Sequence, residues 1–176
     1  MAHHPLTGVL LVGGASRRFG SPKALARLEG ETLAERAWRV LGDACDERIA
    51  VGKAADELVL PFPVLDDASD IRAPLAGVVA GLRAATNELC VFLPVDCPLI
   101  SAESLQQLAA AAGIAAVPQT GPLPGAYRRM LLAQLEDKLL RGDYTLRDVA
   151  AAVVDIDVRE LANVNTEADL AALTAV

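Results

Sequence analysis

A glycine-rich loop near the N-terminus carries three basic side chains that suit phosphate binding. The apolar run Thr7–Val12 predicts a buried strand, and the loop GGASRRFGSPK follows it. Backbone N–H groups of such a loop can point at phosphate oxygens, and Arg17, Arg18 and Lys23 add cationic partners. The spacing matches neither the Walker A pattern nor G-x-G-x-x-G, which weakens both standard nucleotide-binding interpretations. The alternative is a tight turn with solvated arginines.

A single aspartate, Asp96, follows Leu89–Leu93, the most strand-like run in the chain. A carboxylate at the carboxyl end of a buried strand lies where α/β folds bind ligands. One carboxylate is an ordinary Mg²⁺ ligand when substrate phosphates and water complete the coordination. The alternative is an aspartate in a turn or at a helix N-terminus, and spacing alone leaves both open.

The titratable residues restrict the chemistry further. The chain has two histidines, both near its start, and three cysteines, Cys45, Cys90 and Cys97. Because no histidine lies mid-chain to activate a nucleophile, Cys–His and Ser–His–Asp catalysis are nearly excluded. An odd cysteine count without a C-x-x-C motif also argues against a disulfide framework or a structural zinc site.

The composition bounds the class of protein. The chain has 176 residues, a net charge of −7 and a hydrophobic fraction of 53%, which predicts a single domain over 1–176 with a sizeable core. The acidic balance argues against nucleic-acid binding, although it permits one local basic pocket. No apolar run reaches the roughly 18 residues of a membrane span and no signal peptide is evident. We therefore expect a cytoplasmic protein with no membrane association.

Strands and helices alternate along the chain and would position these residues. The predicted strands are Thr7–Val12, Arg48–Val51, Phe62–Leu65, Leu89–Leu93, Ile114–Val117 and Val153–Ile156. The predicted helices are Glu31–Leu41 with a stop at Gly42, Pro74–Ala85, the segment from the Ser101 N-cap to Ala112, Arg128–Leu140, Leu146–Ala151 and a last helix with a Thr166–Asp169 capping box. This alternation predicts a three-layer α/β/α sandwich with a mostly parallel, Rossmann-like sheet.

Four motifs, taken in order, resemble those of the MobA-type nucleotidyltransferases: GGASRRFGSPK, PLAG, LPVDCPL and NVNTEADL. The resemblance runs from about Gly8 to Leu173. It implies the fold of the nucleotide-diphospho-sugar transferases and molybdenum cofactor guanylyltransferase activity. In that reaction GMP passes from GTP to Mo-molybdopterin and pyrophosphate is released, with Mg²⁺ as the metal. Other molybdenum-cofactor assembly proteins are the implied partners.

The resemblance also implies roles for individual residues. The nucleotide-binding positions carried over are Leu11, Val12, Gly13, Gly14, Lys23, Asp67 and Asp96. Arg18 matches the loop arginine of the family and Lys23 its phosphate-binding lysine, and with the metal ligand Asp96 they form the implied catalytic set. Asn163 and Asn165 match two asparagines near the substrate. The alternatives are a solvated acidic loop for Asp67 and a turn for Asn163.

Three departures from the family pattern bear on the choice of base. Phe19 occupies a position where the family usually has a methionine, and Ala73 replaces the glycine of its GPLAG element. Gly52 falls near the position of a family asparagine that contacts the nucleotide. The alternative function is therefore a nucleotidyltransferase of the same fold that uses CTP or another phosphorylated acceptor. A catalytically silent nucleotide-binding protein is a third interpretation, which the presence of both Lys23 and Asp96 disfavours.

Two further arginines, Arg128 and Arg129, follow the Pro/Gly-rich stretch Pro118–Gly125, which is interpreted as a loop. They fall where the pattern predicts a junction between that loop and a helix. Guanidinium groups bind phosphate oxygens well. We therefore predict that these arginines bind the anionic pterin.

Overall fold

The computed structural model describes residues 4–13 and 19–174. The strands are β1 Leu6–Leu11, β2 Arg27–Leu28, β3 Glu31–Thr32, β4 Glu47–Gly52, β5 Val64–Asp66, β6 Leu89–Pro94, β7 Ala115–Pro118, β8 Gly125–Arg128 and β9 Ala152–Val154. The α-helices are α1 Leu33–Ala44, α2 Pro74–Ala84, α3 Ala102–Ala111, α4 Leu132–Leu140 and α5 Glu167–Thr174. Among these described residues, no helix has the length and apolar character needed to cross a bilayer.

The main sheet has seven strands in the order β5-β4-β1-β6-β8-β7-β9. β1 is parallel to β4 and β6, β4 is parallel to β5, and β7 is parallel to β9. β8 alone among these seven runs antiparallel, and it pairs with β6 and β7. The prediction of a mostly parallel sheet is therefore confirmed, and the carboxyl ends of β5, β4, β1 and β6 meet at one edge.

Helices cover both faces of this sheet. Successive side chains of a strand point to opposite faces, and neighbouring residues of β1 accordingly belong to different core clusters. Leu10 packs in the cluster that holds the buried side chains of α1 and α3. Val9 packs in the cluster that holds those of α2 and α4. The predicted three-layer α/β/α architecture is confirmed.

The first long helix begins and ends later than its sequence pattern indicates. Thr32 caps α1 in a capping box with Glu35, while Glu31 pairs in the short hairpin formed by β2 and β3. The helix does not stop at Gly42 but continues to Ala44. The glycine instead makes room for Arg48, because an added Cβ would lie 2.8 Å from its guanidinium.

The segment from Pro118 to Leu140 differs most from its sequence-based prediction. Gly125–Arg128 forms β8, so α4 begins only at Leu132, and Leu146–Ala151 is not helical. Tyr127 on β8 is fully buried and donates its hydroxyl hydrogen to the Pro122 carbonyl at 2.6 Å. This burial within the sheet outweighs the local helical pattern that begins at Arg128.

Gly81 on α2 provides a test of how tightly the helix packs on the sheet. An added Cβ would lie 2.7 Å from Phe92 Cε1 and 2.8 Å from Val9 Cγ1. Overpacking costs about 1–3 kcal/mol and helix propensity returns about 1 kcal/mol, so Gly81→Ala should destabilise the protein by up to about 2 kcal/mol. Gly113→Ala is the control, because nothing lies within 4 Å of its added Cβ. Denaturant unfolding curves that place both variants at the same stability would contradict this packing.

Candidate active site

A cavity of about 640 Å³ opens at the carboxyl ends of β1, β4, β5 and β6. Open α/β sheets bind their ligands at this edge because the loops that follow the strands converge there. One end of the cavity is bounded by residues that follow β4 and β5. The other end is bounded by the loop between β7 and β8. The lining residues that bear on function are Leu11, Val12, Gly13, Lys23, Lys53, Asp67, Arg72, Asp96, Gly121, Arg147 and Asn163.

Lys23, Asp96 and Asn165 form a contact cluster at the centre of this edge. Lys23 Nζ donates to Asn165 Oδ1 at 3.0 Å and lies 3.7 Å from Asp96 Oδ2. The side chain of Asp96 is 30% exposed, so its carboxylate remains accessible to a ligand. Since Lys23 and Asn165 are 142 positions apart, the tertiary fold alone brings the first and last motifs together.

The segment that contains Asn163 is held against the loop after β6. The Val164 N–H donates to the Asp96 carbonyl at 2.8 Å, and the Cys97 thiol donates to Asn163 Oδ1 at 3.0 Å. Burial, reinforced by the charge of Asp96, raises the pKa of Cys97. The thiol therefore stays protonated near neutral pH, in agreement with the exclusion of cysteine nucleophilic catalysis.

The predicted capping box of the last helix positions Asn165. Asp169 Oδ2 accepts from the N–H groups of Asn165 and Thr166, both at 2.8 Å, and the Asp169 N–H donates to Thr166 Oγ1 at 3.1 Å. The backbone N–H of Asn165, followed by the Thr166 groups, lowers the pKa of Asp169. The carboxylate is thus charged and anchors the backbone of Asn165 while its side chain contacts Lys23.

At the β4–β5 end of the cavity, Lys53 and Asp67 form a buried ion pair. Lys53 Nζ lies 3.0 and 2.8 Å from the two carboxylate oxygens of Asp67, and the side chains are 11% and 6% exposed. The Asp67 N–H donates to the Gly52 carbonyl at 2.9 Å. Asp67 is therefore an ordered wall residue, and the alternative of a solvated acidic loop does not describe it.

A second set of contacts stabilises the cavity wall beside this ion pair. Arg72 Nη2 lies 2.8 Å from Asp56 Oδ1, and the Ala54 N–H donates to Asp66 Oδ1 at 3.1 Å. The first contact joins the segment after β4 to the segment after β5, and the second joins the segment after β4 to the last residue of β5. They reinforce the wall to which Asp67 belongs.

The structure brings most of the sequence-predicted site residues to one cavity. Those that line it are Leu11, Val12, Gly13, Lys23, Asp67, Asp96 and Asn163. Asn165 joins the site through its contact with Lys23. Gly14 and Arg18 lie outside the described residues, as does Arg17.

Three cavity-lining basic residues escaped the sequence analysis: Lys53, Arg72 and Arg147. Lys53 directly follows β4, so a basic residue at the carboxyl end of a predicted strand was the signal available for it. Arg147 lies in an irregular segment, and neither periodicity nor a motif marks it. Its guanidinium packs over Gly121, where an added Cβ would lie 3.5 Å from Arg147 Nη2.

The structure does not bring Arg128 and Arg129, which the sequence analysis assigned to the pterin, to the cavity. Arg128 pairs with Leu89, the first residue of β6, and its Nε donates to the Gly113 carbonyl at 2.7 Å. The Arg129 N–H donates to the carbonyl of Glu88. Because β8 is antiparallel to β6, its carboxyl end lies at the opposite edge of the sheet from the cavity.

An α/β sandwich that places a lysine and an accessible carboxylate at the carboxyl edge of its sheet has the arrangement expected of a nucleotide-binding transferase. Comparison with known families identifies the particular family within this class. Residues 8–158 match the MobA-like NTP transferase domain, and the chain belongs to that family.

Curated relatives and solved structures extend the comparison. The chain is 33% identical over 183 residues to the probable molybdenum cofactor guanylyltransferase of Deinococcus radiodurans, covering 97% of this chain and 94% of that protein. It is 30% identical over 182 residues to the protein of the same name from Aquifex aeolicus, covering 97% and 90%. Molybdopterin-guanine dinucleotide biosynthesis protein A from Archaeoglobus fulgidus has the same fold, with a TM-score of 0.81 at 23% identity and coverage of 96% and 97%.

Proposed function

We propose that this protein is a molybdenum cofactor guanylyltransferase, which transfers GMP from GTP to Mo-molybdopterin and releases pyrophosphate. Its membership of the MobA-like NTP transferase family supports the proposal, as do relatives of that name across 97% of the chain. The observation that carries it is the central placement of Lys23 and Asp96, 3.7 Å apart. They lie in one cavity, between the end that holds Asp67 and the end that holds Arg147.

Lys23 and Asp96 suit complementary roles at a triphosphate. The Lys23 ammonium would offset charge on phosphate oxygens, and the accessible Asp96 carboxylate would hold Mg²⁺. Within residues 4–13 and 19–174, no cluster of three or more His, Cys, Asp or Glu could hold a metal by itself. The donor set therefore fits a Mg²⁺ ion that takes its remaining ligands from nucleotide phosphates and water. When bound, the ion would neutralise charge on those phosphates.

The two ends of the cavity differ in the groups that they offer to a ligand, and this difference would orient the substrates. A guanine base presents N–H groups, and the Asp67 carboxylate offers an acceptor for one of them at the β4–β5 end. The anionic pterin phosphate needs a cation, which Arg147 offers beside the loop between β7 and β8. In this arrangement the reacting phosphates meet at Lys23 and Asp96. Asn163 and Asn165 lie beside them and supply neutral donors and acceptors that orient the acceptor.

The reaction requires no covalent intermediate with the protein. The acceptor phosphate is already anionic, so it needs no strong base to attack the α-phosphorus of GTP. Pyrophosphate leaves as the new P–O bond forms, and Lys23 would stabilise the charge that develops on it. Catalysis by positioning and charge neutralisation accounts for a site without histidine. Roles for Gly14 and Arg18 belong to the same proposal, at the phosphates.

The setting of the reaction follows from its substrates. GTP is a cytoplasmic metabolite, so we place the reaction in the cytoplasm. The labile product would be handed to other molybdenum-cofactor assembly proteins.

Nucleotide preference tests the proposal directly. GTP with Mg²⁺ should raise the thermal unfolding midpoint more than CTP, ATP or UTP, because a ligand at a hundred times its Kd adds about 2.7 kcal/mol to stability. Stabilisation by CTP alone would replace guanylyl transfer with cytidylyl transfer. The absence of any shift with all four nucleotides would overturn nucleotide binding.

Arg147→Ala should raise the KM for the molybdopterin acceptor by about tenfold and leave the KM for GTP unchanged. A charge-assisted hydrogen bond to phosphate is worth about 1.5–3 kcal/mol, and the exposure of Arg147 places the effect at the lower bound. Arg128→Ala is the comparison, because its guanidinium lies at the opposite sheet edge. Steady-state kinetics in which both variants behave alike would remove Arg147 from the acceptor site.

A further inference from the structure

The Asp67 carboxylate has little accepting capacity left for a ligand. Its Oδ1 accepts from Lys53 Nζ and from the Ser69 N–H, each at 3.0 Å, and its Oδ2 accepts from Lys53 Nζ at 2.8 Å. A carboxylate offers about four lone-pair sites. Three are occupied by these contacts, so one site, on Oδ2, remains for a group in the cavity.

Several contacts keep this arrangement in place when a ligand enters. Lys53 Nζ also donates to the Ser69 carbonyl at 2.6 Å, and the backbone of Asp67 is fixed by its bond to Gly52. The side chains of Lys53 and Asp67 are 11% and 6% exposed. Separating two such buried charges is strongly unfavourable, because each would be left without a partner. The ion pair is therefore a permanent part of the wall.

We propose that Lys53 is a specificity-determining positioning residue, which restricts Asp67 to a single hydrogen bond from the base. This inference rests on the proposed function, in which guanine lies at the Asp67 end of the cavity. Guanine presents its N1–H and its 2-amino group side by side, and an unpaired carboxylate would accept from both. With Lys53 in place, Asp67 accepts the N1–H alone. The site then recognises an oxopurine and ignores the 2-amino group.

Inosine triphosphate (ITP) distinguishes recognition of the N1–H alone from recognition of both guanine donors, since hypoxanthine keeps the N1–H and lacks the 2-amino group. Isothermal titration calorimetry with Mg²⁺ should give Kd values for GTP and ITP that agree within about threefold in the wild-type protein. In Lys53→Met the freed carboxylate accepts both guanine donors. The preference for GTP over ITP should then rise to about tenfold or more, the worth of one hydrogen bond to a charged group.

The ratio of the two Kd values is the informative readout, because a structural defect would weaken the binding of GTP and of ITP to the same extent. Lys53→Arg keeps a cation on the carboxylate and should keep the ratio near that of the wild type. Arg83→Met is the charge-matched control. It removes one positive charge from an exposed pair with Glu136 outside the cavity lining, so the ratio should stay unchanged.

The outcomes separate this inference from the proposed function. GTP binding with a ratio above about threefold in the wild type, or with the same ratio in wild type and Lys53→Met, would overturn the role of Lys53 alone. Binding of CTP without GTP would overturn the guanylyltransferase proposal and the inference with it. If Lys53→Met does not fold, the Kd ratios of the wild type and of Lys53→Arg still test the inference. Both ratios must lie within about threefold of one, and a larger ratio in either protein would overturn the role of Lys53.

Discussion

Replacing Asp96 with asparagine should lower the rate of Mg²⁺-dependent GMP transfer by about a thousandfold and leave the fold intact. The amide keeps the size of the side chain but removes the charge that would hold the metal beside the phosphates, an effect worth several kcal/mol at the transition state. The backbone is spared, because the bond from the Val164 N–H ends on the Asp96 carbonyl. Pyrophosphate release measured against Mg²⁺ concentration would show the loss.

Asp70→Asn is the matched control for this variant. Asp70 is exposed and is not part of the cavity lining, so its replacement makes the same chemical change outside the site. Its rate should stay within about twofold of the wild type, as for most surface substitutions. A full rate in Asp96→Asn would remove Asp96 from metal binding, and an unfolded Asp96→Asn protein would assign it a structural role.

Lys23→Met should lower kcat/KM for GTP by about a hundredfold to a thousandfold. The Lys23 ammonium lies 3.7 Å from the carboxylate of Asp96. Removing one preorganised donor to developing charge costs an enzyme about a hundredfold to a thousandfold in kcat. The loss should appear in both GTP affinity and turnover, because the triphosphate is charged before and during the reaction. Steady-state kinetics with varied GTP measure both.

Arg141→Met provides the comparison for the loss of positive charge. Arg141 pairs on the surface with Asp137, four residues earlier on α4, and exposed pairs of this kind contribute little. Its rate should equal that of the wild type. If Lys23→Met also kept its rate within about threefold, the lysine would be a structural anchor for Asn165 and would have no role at the phosphates.

The sequence predicted the strands and the residues at their carboxyl ends well, because buried parallel strands are short apolar runs with an abrupt polar end. Thr7–Val12 and Leu89–Leu93 appear as β1 and β6 within one residue at each end. Asp96 and Lys23 were identified from this pattern together with the family motifs. Both line the cavity in the structure.

The errors cluster where local pattern and tertiary packing disagree. Arg128 begins a stretch with helical periodicity, yet it ends β8, because Tyr127 gains more from burial between the sheet and α4 than a helix turn would give. The direction of β8 then carries Arg128 away from the site. An antiparallel strand inserted in a parallel sheet has no distinct sequence signal, since its direction is set by the strands on either side.

By itself, the sequence determined the α/β class, the chemistry open to the site and the family of the protein, because periodicity and motifs are local properties of the chain. Only the tertiary structure decided which charges meet. The contact between Lys23 and Asn165 spans 142 positions, and the pairing of Lys53 with Asp67 depends on the register of β4 with β5. Such contacts depend on how strands align in space, and so on the packing of the whole sheet.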